Sequence, residues 1–175
     1  PVAPNLLDRQ FTATRPNEKW LADFTYIPTQ QGWLYLATVL DVFSRQIVGW
    51  SMSDRQQTVL VEDVLRNGAG APPPVPGLLH HSDRGSQYAS GDYQKLLAQH
   101  HIQVSMSRTG EPYDNALVES FFATLKTECA THRFASREQA RATLFDYIEV
   151  WYNRQRLHSS LGYRSPAAFE QIHAA

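Results

Sequence analysis

The fold is decided by a helix predicted from residues 114–126, which read Asp114-Asn115-Ala116-Leu117-Val118-Glu119-Ser120-Phe121-Phe122-Ala123-Thr124-Leu125-Lys126. At about 100° per residue, its apolar side chains form one stripe, made by Leu117, Val118, Phe121, Phe122 and Leu125. Glu119 and Lys126 lie two turns apart beside this stripe, and Asp114 is suited to cap the helix. A lone acid on a helix is usually a solvated charge, so a role for Glu119 depends on the other acids of the chain.

Length and composition indicate one domain. A chain of 175 residues with 42% hydrophobic content is long enough for one substantial core and too short for two domains of ordinary size. No apolar run is long enough to span a bilayer, and we expect no export signal. The single cysteine, Cys129, excludes an intramolecular disulfide and any zinc site that needs two thiolates. Together these features predict a soluble cytoplasmic protein.

The charge distribution leaves nucleic-acid binding open. The net charge is −1, whereas DNA-binding domains are usually strongly basic. The segment 151–166 is locally basic and contains no acid; its basic residues are Arg154, Arg156, His158 and Arg164, interleaved with Trp151, Tyr152 and Tyr163. Such a segment suits phosphate binding, but it equally fits an ordinary solvated turn.

The first half of the chain predicts an extended lead-in followed by an antiparallel meander. Residues 1–18 contain three prolines and little periodicity, so we interpret them as a linker before a single domain over residues 19–175. Strands are predicted over Trp20–Thr29, Trp33–Leu40 and Ile47–Met52, and the tight turns between them make the pairing antiparallel. Asp23 lies in the middle of the first strand, where a carboxylate is costly unless a cation or a donor compensates it.

A crossover is predicted next. It comprises a helix over Thr58–Leu65 and a stiff, proline-rich connector over Ala71–Gly77. The strand after it, Leu78–Asp83, delivers Asp83 at its carboxyl end, where open α/β sheets place their chemistry.

The remaining chain alternates helices with one more strand. Ser90 is expected to cap a helix that runs to Gln99, and Ile102–Met106 is a further strand. Beyond the helix that carries Glu119, Ser136 and Gln139 form a capping box. They open a long helix whose apolar stripe is Ala140, Leu144, Ile148 and Trp151. Ser165-Pro166 opens a last short helix with Phe169 and Ile172 facing inward.

These elements predict an α/β fold with a mixed five-stranded sheet, an antiparallel meander plus parallel strands, and helices on both faces. On this plan Asp23, Asp83 and Glu119 are able to converge. Carboxylates without thiolates favour hard cations such as Mg²⁺ or Mn²⁺. Two such ions about 4 Å apart activate a nucleophile and stabilise the leaving oxygen of a phosphodiester, so the expected chemistry is phosphoryl transfer.

The spacing of the acids resembles a known family. Fifty-nine residues separate Asp23 from Asp83, and thirty-five separate Asp83 from Glu119. This pattern resembles the D-D-35-E core shared by retroviral integrases and many bacterial insertion-sequence transposases. It is most similar to the bacterial group whose transposase is made by frameshifting between two overlapping frames. The matching blocks cover nearly the whole chain and comprise Trp20–Ile27, Trp33–Trp50, His81–Tyr88, Ser105–Arg108, Asp114–Glu128 and Trp151–Pro166.

The resemblance implies a ribonuclease-H-like fold in which Asp23, Asp83 and Glu119 bind two Mg²⁺ ions, with Mn²⁺ as a substitute. It implies hydrolytic nicking at the end of a mobile element, followed by attack of the freed 3′-hydroxyl on another phosphodiester. Lys126 resembles the family's DNA-contacting position near the active site, and the other candidate DNA contacts are Arg84, Arg108, Arg154, Arg156 and His158. The expected partners are transposon ends, target DNA and further copies of the chain. The upstream helix-turn-helix and coiled-coil regions of the full-length family protein are not in this sequence.

Four alternatives stay open at this point. Adjacent strand histidines such as His80 and His81 point to opposite faces, which disfavours a zinc site built from the chain's histidines. Asp41, Glu111 and Asp114 are rival acids, although each has an ordinary structural explanation. Two other functions are also compatible with these residues. One is a nuclease that hydrolyses DNA without joining strands, and the other is a DNA-binding module without catalysis.

Overall fold

A five-stranded mixed sheet organises the computed structural model, which describes residues 2–55, 62 and 76–173. Its strands are β1 (Lys19–Thr29), β2 (Gly32–Asp41), β3 (Ile47–Ser53), β4 (Leu79–Ser82) and β5 (Gln103–Met106). Their spatial order is β3-β2-β1-β4-β5. The first three strands pair antiparallel, whereas β4 runs parallel to both β1 and β5, which confirms the predicted sheet.

The helices of the described residues are α1 (Gly91–Gln99), α2 (Ala116–Glu128), α3 (Arg137–Asp146) and α4 (Pro166–His173). Short 3₁₀ turns at Pro112–Asn115 and Ser159–Leu161 precede α2 and α4. The predicted helix over Thr58–Leu65 lies outside the described residues except for Glu62. The predicted connector over Ala71–Gly77 also lies outside them, except for its last two residues.

Two hydrophobic cores, one on each face of the sheet, show why helices cover both sides. Successive side chains of a strand point to opposite faces. Leu21 of β1 accordingly packs in one core with Val118 and Phe121 of α2. Its neighbour Trp20 packs in the other core with Leu97 of α1. The predicted two-sided arrangement is confirmed.

Strand register brings two of the acids together. Asp23 shares its face of β1 with Leu21 and therefore faces the side covered by α2. Leu21 pairs with His81 in the parallel ladder between β1 and β4. Continuing that register by two residues places Asp83, directly after β4, beside Asp23. The sheet itself therefore aligns these two carboxylates.

Helix α2 begins later than the sequence predicted. The residue before it is Asn115, which makes no side-chain capping hydrogen bond, and Asp114 lies inside the preceding 3₁₀ turn. The prediction that Asp114 caps this helix is wrong. Asp114 is fully buried and its carboxylate accepts hydrogen bonds from Arg9 Nε at 2.8 Å and Arg108 Nη2 at 2.7 Å. Two guanidinium groups outcompete the helix N–H groups for this carboxylate because charge-assisted hydrogen bonds are stronger.

The long helix after Ser136 changes its pitch. Ser136 Oγ accepts the Gln139 N–H at 3.0 Å, as predicted, but α3 ends at Asp146 and Tyr147–Tyr152 form a π-helical turn. A π turn contains more residues than an α turn and rotates the following side chains around the axis. Tyr152 is therefore buried, whereas Trp151 is 44% exposed, and the prediction that Trp151 continues the apolar stripe is wrong.

The last helix is buried at only one of the two predicted positions. The Phe169 ring is half-buried and lies 5.0 Å from the Phe43 ring, between centroids. Ile172 is 55% exposed, because residues 171–173 all lie at the surface. The prediction that Ile172 faces inward is wrong.

The N-terminal segment packs against the domain. Residues 2–18 contain no helix or strand, in line with the prediction of an extended lead-in. Leu7 is nevertheless only 1% exposed and belongs to the core beneath α2. The backbone N–H groups of Leu6 and Leu7 donate to Ser105 Oγ at 2.8 and 3.0 Å. The segment is thereby held to β5, on the edge of the sheet farthest from β3.

Candidate active site

Strand β1 holds Asp23 in a nearly dry position. Its side chain is 7% exposed, and Oδ1 accepts the Phe24 N–H at 2.8 Å. The pKa of Asp23 is raised to about 9. Burial is the largest cause, followed by a hydrogen bond with Glu119 and by the charges of Glu119 and Asp83. Without a cation, the site therefore favours a protonated Asp23 next to Glu119.

The loop after β4 fixes Asp83 through a glycine. Asp83 Oδ1 accepts the Gly85 N–H at 2.7 Å. A Cβ atom at Gly85 would lie only 2.8 Å from that same oxygen, closer than real Cβ contacts come. Glycine is needed here for close approach to the carboxylate. Gly85 is therefore a positioning residue for Asp83. It lies within the block His81–Tyr88, but nothing in the sequence alone singled it out.

The first turn of α2 contributes Glu119 and, one turn earlier, Asn115. All three acids and Asn115 line one open cavity of about 450 Å³. Asn115 is buried and its Nδ2 donates weakly to the Ala22 carbonyl at 3.4 Å, while its Oδ1 has no hydrogen-bond partner within the described residues. The sequence analysis missed Asn115, although its spacing of four residues from Glu119 places both on one side of the helix.

The donor set of this cavity fits a hard divalent cation. Carboxylate oxygens and a buried, unpartnered amide oxygen are ligands of the kind that Mg²⁺ and Mn²⁺ prefer. Burial and the two neighbouring acids raise the pKa of Asp23, and a bound cation would oppose that shift by favouring the ionised carboxylate. Within the ranges that the structure describes, no three acid, histidine or cysteine side chains are already spaced as a complete metal-binding group. The carboxylates therefore share a cavity without forming a finished ligand cage.

Two of the six predicted DNA contacts line this cavity, and a third, Lys126, lies farther along α2. Arg84 and Arg108 line it, and Arg84 is held in place by the Ser107 carbonyl at 2.7 Å and Thr109 Oγ1 at 2.9 Å. Lys126 is exposed two turns beyond Glu119, with Nζ 5.7 Å from the centre of the Tyr26 ring. Arg108 pairs with Asp114, so part of its charge is already neutralised.

The other three predicted contacts lie elsewhere. Arg154 is exposed, and Arg156 Nε bonds both carboxylate oxygens of Glu128, at 2.9 and 3.0 Å. His158 is half-buried against the Tyr152 ring. Arg156 and His158 line a separate small pocket on another side of α2, and none of the three lines the acid-bearing cavity.

The rival acids and His81 have structural partners. Asp41 is buried at the end of β2, where Ser44 and Asn17 donate to it, and Asp114 is held by Arg9 and Arg108. Glu111 lines the cavity but pairs with Arg9 at 2.7 Å. His81 is buried between two serine hydroxyls, those of Ser105 and Ser107.

A larger cavity, of about 720 Å³, lies between β3 and α3. It is lined by aromatic and charged side chains that include Trp50 and Phe145, and it contains none of the three acids. The convergence of titratable groups, rather than cavity size, therefore identifies the candidate site.

Fold and site together define a ribonuclease-H-like domain with an acid-lined cavity at the carboxyl end of β4. Two models of the integrase core domain match the chain, one over residues 13–112 and one over residues 100–166. The chain belongs to the integrase core domain family.

Curated relatives are bacterial insertion-sequence proteins. The chain is 52% identical over 172 residues to the transposase for insertion sequence element IS904 of Lactococcus lactis, covering 98% of this chain and 68% of that protein. It is 49% identical over 176 residues to transposase InsF for insertion sequence IS3A of Escherichia coli, covering 100% of this chain and 61% of that protein. The chain thus spans roughly three fifths to two thirds of the length of such relatives.

Solved structures show the same fold at low sequence identity. The simian T-cell lymphotropic virus intasome contains a chain with a TM-score of 0.74 and 17% identity, covering 100% of this chain and 58% of that one. The magnesium-bound catalytic core domain of HTLV-2 integrase, in a trimeric form, has a TM-score of 0.64 and 16% identity, covering 90% and 99%. These likenesses confirm the predicted ribonuclease-H-like fold. No helix among the described residues is long and apolar enough to cross a membrane.

Proposed function

We propose that this chain is the catalytic core of a DNA transposase, which cleaves a phosphodiester at an element's end and joins the freed 3′-hydroxyl to another phosphodiester. The observation that carries the proposal is the meeting of Asp23, Asp83 and Glu119 in one cavity, at spacings that resemble the D-D-35-E pattern. The proposed substrates are transposon ends and target DNA, in the bacterial cytoplasm.

The three carboxylates are the proposed ligands of two Mg²⁺ ions, with Mn²⁺ as a substitute. When bound, these ions supply Lewis acidity that activates the attacking oxygen and stabilises the leaving one. The chain's own contribution is positioning. The β-sheet aligns Asp23 with Asp83, the Gly85 N–H orients the Asp83 carboxylate, and α2 presents Glu119 across from them.

Basic side chains at the rim of the cavity are the proposed contacts for DNA phosphates. Arg84 is pre-oriented by two hydrogen bonds, which reduces the entropy lost when it meets a phosphate. Lys126 adds a point charge along the exposed side of α2. The chain's net charge of −1 supplies little general attraction to DNA. We therefore assign sequence-specific end recognition to a helix-turn-helix region outside these residues.

The test is a strand-transfer assay with labelled duplexes made from the DNA that flanks the coding sequence, an unlabelled plasmid as acceptor, and Mg²⁺ or Mn²⁺. Glu119→Gln is expected to lower product formation by at least about a hundredfold, because a metal ligand supports several kcal/mol of transition-state stabilisation. Glu111→Gln is the matched control, since Glu111 lines the same cavity but pairs with Arg9. Equal activity of both variants would refute the assignment of Glu119.

Product analysis separates the remaining hypotheses. Labelled DNA joined to the plasmid identifies a transposase, whereas nicked DNA without joined product identifies a hydrolytic nuclease. DNA binding without any metal-dependent product identifies a non-catalytic module. We also propose that two or more copies of the chain act together on paired ends. Sedimentation with and without the duplexes measures the number of copies in the complex.

A further inference from the structure

A small basic pocket lies on another side of α2 from the acid-lined cavity. Its volume is about 170 Å³, and it is formed where the end of β2, α2 and the C-terminal turn meet. Its polar lining comprises the basic side chains Arg45, Arg156 and His158 and the hydroxyls of Ser120, Thr124 and Ser160. No acidic side chain is among its lining residues within the part of the chain that the structure describes.

Arg45 carries a half-buried charge with no carboxylate at ion-pair distance among the described residues, although the charge of Asp41 offsets part of the effect of burial. Its Nη1 donates to the Val42 carbonyl, and among the described residues no ion pair neutralises it. Burial lowers the pKa of Arg45, which is the mark of a cation removed from water. Such a charge is costly unless an anion compensates it.

The other two basic groups also keep unused donors. Arg156 meets Glu128 through Nε alone, so its terminal nitrogens have no hydrogen bond to the described residues. His158 Nε2 is buried and has no hydrogen-bond partner in the same ranges. Burial, and then the charges of Arg156 and Arg45, lower the pKa of His158 to about 4, so the ring is neutral and offers one N–H.

We propose that this pocket binds a phosphate group, at a position distinct from the cavity that holds the three acids. Arginine forks, hydroxyls and an imidazole N–H form the donor set that phosphate oxygens accept from. The phosphate is either one of the DNA backbone or the free ion, since both present the same oxygens.

The position of the pocket favours DNA as the source. The acid-lined cavity uses Asn115 and Glu119 of α2, whereas the pocket uses Ser120 and Thr124, which lie around the other side of the helix. The exposed face of α2 lies between them. A DNA strand that crosses this face would present one phosphodiester to the acids and another to the pocket. The sequence analysis named Arg156 and His158 as DNA contacts, and the structure adds Arg45.

The first test is thermal unfolding of the 175-residue chain in sodium phosphate and in sodium chloride at equal ionic strength, without divalent cations. A ligand that binds the folded state raises the melting temperature by mass action. Ser160→Asp places a carboxylate in the pocket, and Ser159→Asp, on the same 3₁₀ turn but outside the pocket lining, is the matched control. We expect phosphate to stabilise the wild type and Ser159→Asp, but not Ser160→Asp.

Arg45→Gln gives an independent check, with exposed Arg154→Gln as its control. Loss of one charge-assisted hydrogen-bonding group is expected to weaken phosphate binding by about tenfold in Arg45→Gln and to leave Arg154→Gln unchanged. Glu119→Gln retains the phosphate response, because the pocket does not depend on the proposed chemistry. No phosphate effect beyond that of chloride, or equal responses of Ser160→Asp and Ser159→Asp, would overturn the proposal.

The second test identifies the source of the phosphate by measuring the salt dependence of binding to a short duplex. If the pocket holds a backbone phosphate, the slope of log K against log salt falls by about one in Ser160→Asp and is unchanged in Ser159→Asp. Unchanged slopes together with stabilisation by phosphate support the proposal with the free ion as the ligand.

Discussion

At the scale of single residues, Asp23 shows how a proposed metal ligand is held in place at a cost in stability. A carboxylate in mid-strand, next to two other acids, is held in the cavity by the sheet rather than by favourable interactions of its own. Positions of this kind are expected where function, not folding, selects the residue.

Asp23→Asn is therefore expected to raise the melting temperature of the metal-free protein and to abolish activity. The amide is neutral at every pH, so folding no longer has to protonate a carboxyl group whose charged form is disfavoured by burial and by Glu119 and Asp83. The gain should be roughly 2 to 6 °C, as for a substitution that stabilises by about 0.5 to 2 kcal/mol. Melting in the presence of a chelator, with exposed Asp92→Asn as control, checks this. Equal or lower stability of Asp23→Asn would argue against a converged acidic cluster.

The pH dependence of this gain follows from the pKa. The pKa of Asp23 is about 9 in the folded protein and 3.8 as its ordinary value. Between these values folding takes up a proton, so stability falls as pH rises. The contribution of Asp23 is complete below pH 3.8 and is lost as pH rises through about 9. Asp23→Asn should accordingly stabilise more at about pH 8 than at about pH 5.

Gly85 tests the positioning of Asp83. Gly85→Ala forces a Cβ atom to within 2.8 Å of Asp83 Oδ1, so the carboxylate must move. We expect strand transfer to fall by at least about tenfold, since misplacement by a fraction of an ångström is enough. Gly91→Ala is the matched control, because nothing lies within 4 Å of its Cβ position. Similar activity in both variants would show that the contact with Asp83 is unimportant.

At the scale of elements, the π-helical turn after α3 decides which aromatic side chain enters the core. The Tyr152 ring packs against the Phe121 ring of α2 with centroids 4.7 Å apart, while Trp151 is 44% exposed and its Nε1 donates to Glu128 Oε1 at 3.3 Å. Because Tyr152 also lines the basic pocket, the turn shapes that site as well.

Replacing each of the two aromatic side chains with alanine tests which one is packed in the core. Tyr152→Ala is expected to lower the free energy of unfolding by about 3 to 5 kcal/mol, as for other buried aromatic residues. Trp151→Ala should lower it by less than about 1 kcal/mol, because Trp151 is 44% exposed and lies outside the hydrophobic cores. Urea unfolding of both variants provides the comparison. The opposite ranking would mean that the segment is a regular α-helix.

At the scale of the whole molecule, the N-terminal segment ties distant parts of the chain together. Leu7 enters the core under α2, and Arg9 reaches Asp114, which also binds Arg108. The guanidinium of Arg108 holds the pKa of Asp114 well below its usual range, with Arg9 contributing. The segment therefore stabilises the loop that borders the acid-lined cavity.

Two neighbouring leucines test whether this segment belongs to the cooperative fold. Leu7→Ala removes a fully buried side chain and is expected to cost about 2 to 5 kcal/mol. Leu6 is 50% exposed, so Leu6→Ala should change stability by no more than about 0.5 kcal/mol. Denaturant midpoints at constant slope distinguish the two. A negligible effect of Leu7→Ala would show that residues 2–18 act as a free linker.

The sequence by itself determined the succession of strands and helices along the chain, the mixed sheet covered on both faces, and the spacing of the three candidate acids. Strand alternation and the apolar stripe of α2 are local patterns, set by the geometry of each element, and the position of Asp83 follows from where β4 ends. The spacing of Asp23, Asp83 and Glu119 was readable for the same reason, since Asp23 and Glu119 lie within regular elements and Asp83 directly follows one.

Only the tertiary structure decided which partners each side chain finds. Asp114 was predicted as a cap because local sequence cannot show that Arg9, more than one hundred residues away, competes for its carboxylate. Three other features depend on contacts between distant segments. They are the π turn that buries Tyr152 instead of Trp151, the unpartnered Asn115 oxygen, and the pocket that both Arg45 and Arg156 line. Such contacts are set by how the side chains pack in three dimensions, and the periodicity of the sequence does not show which distant residues will pack together.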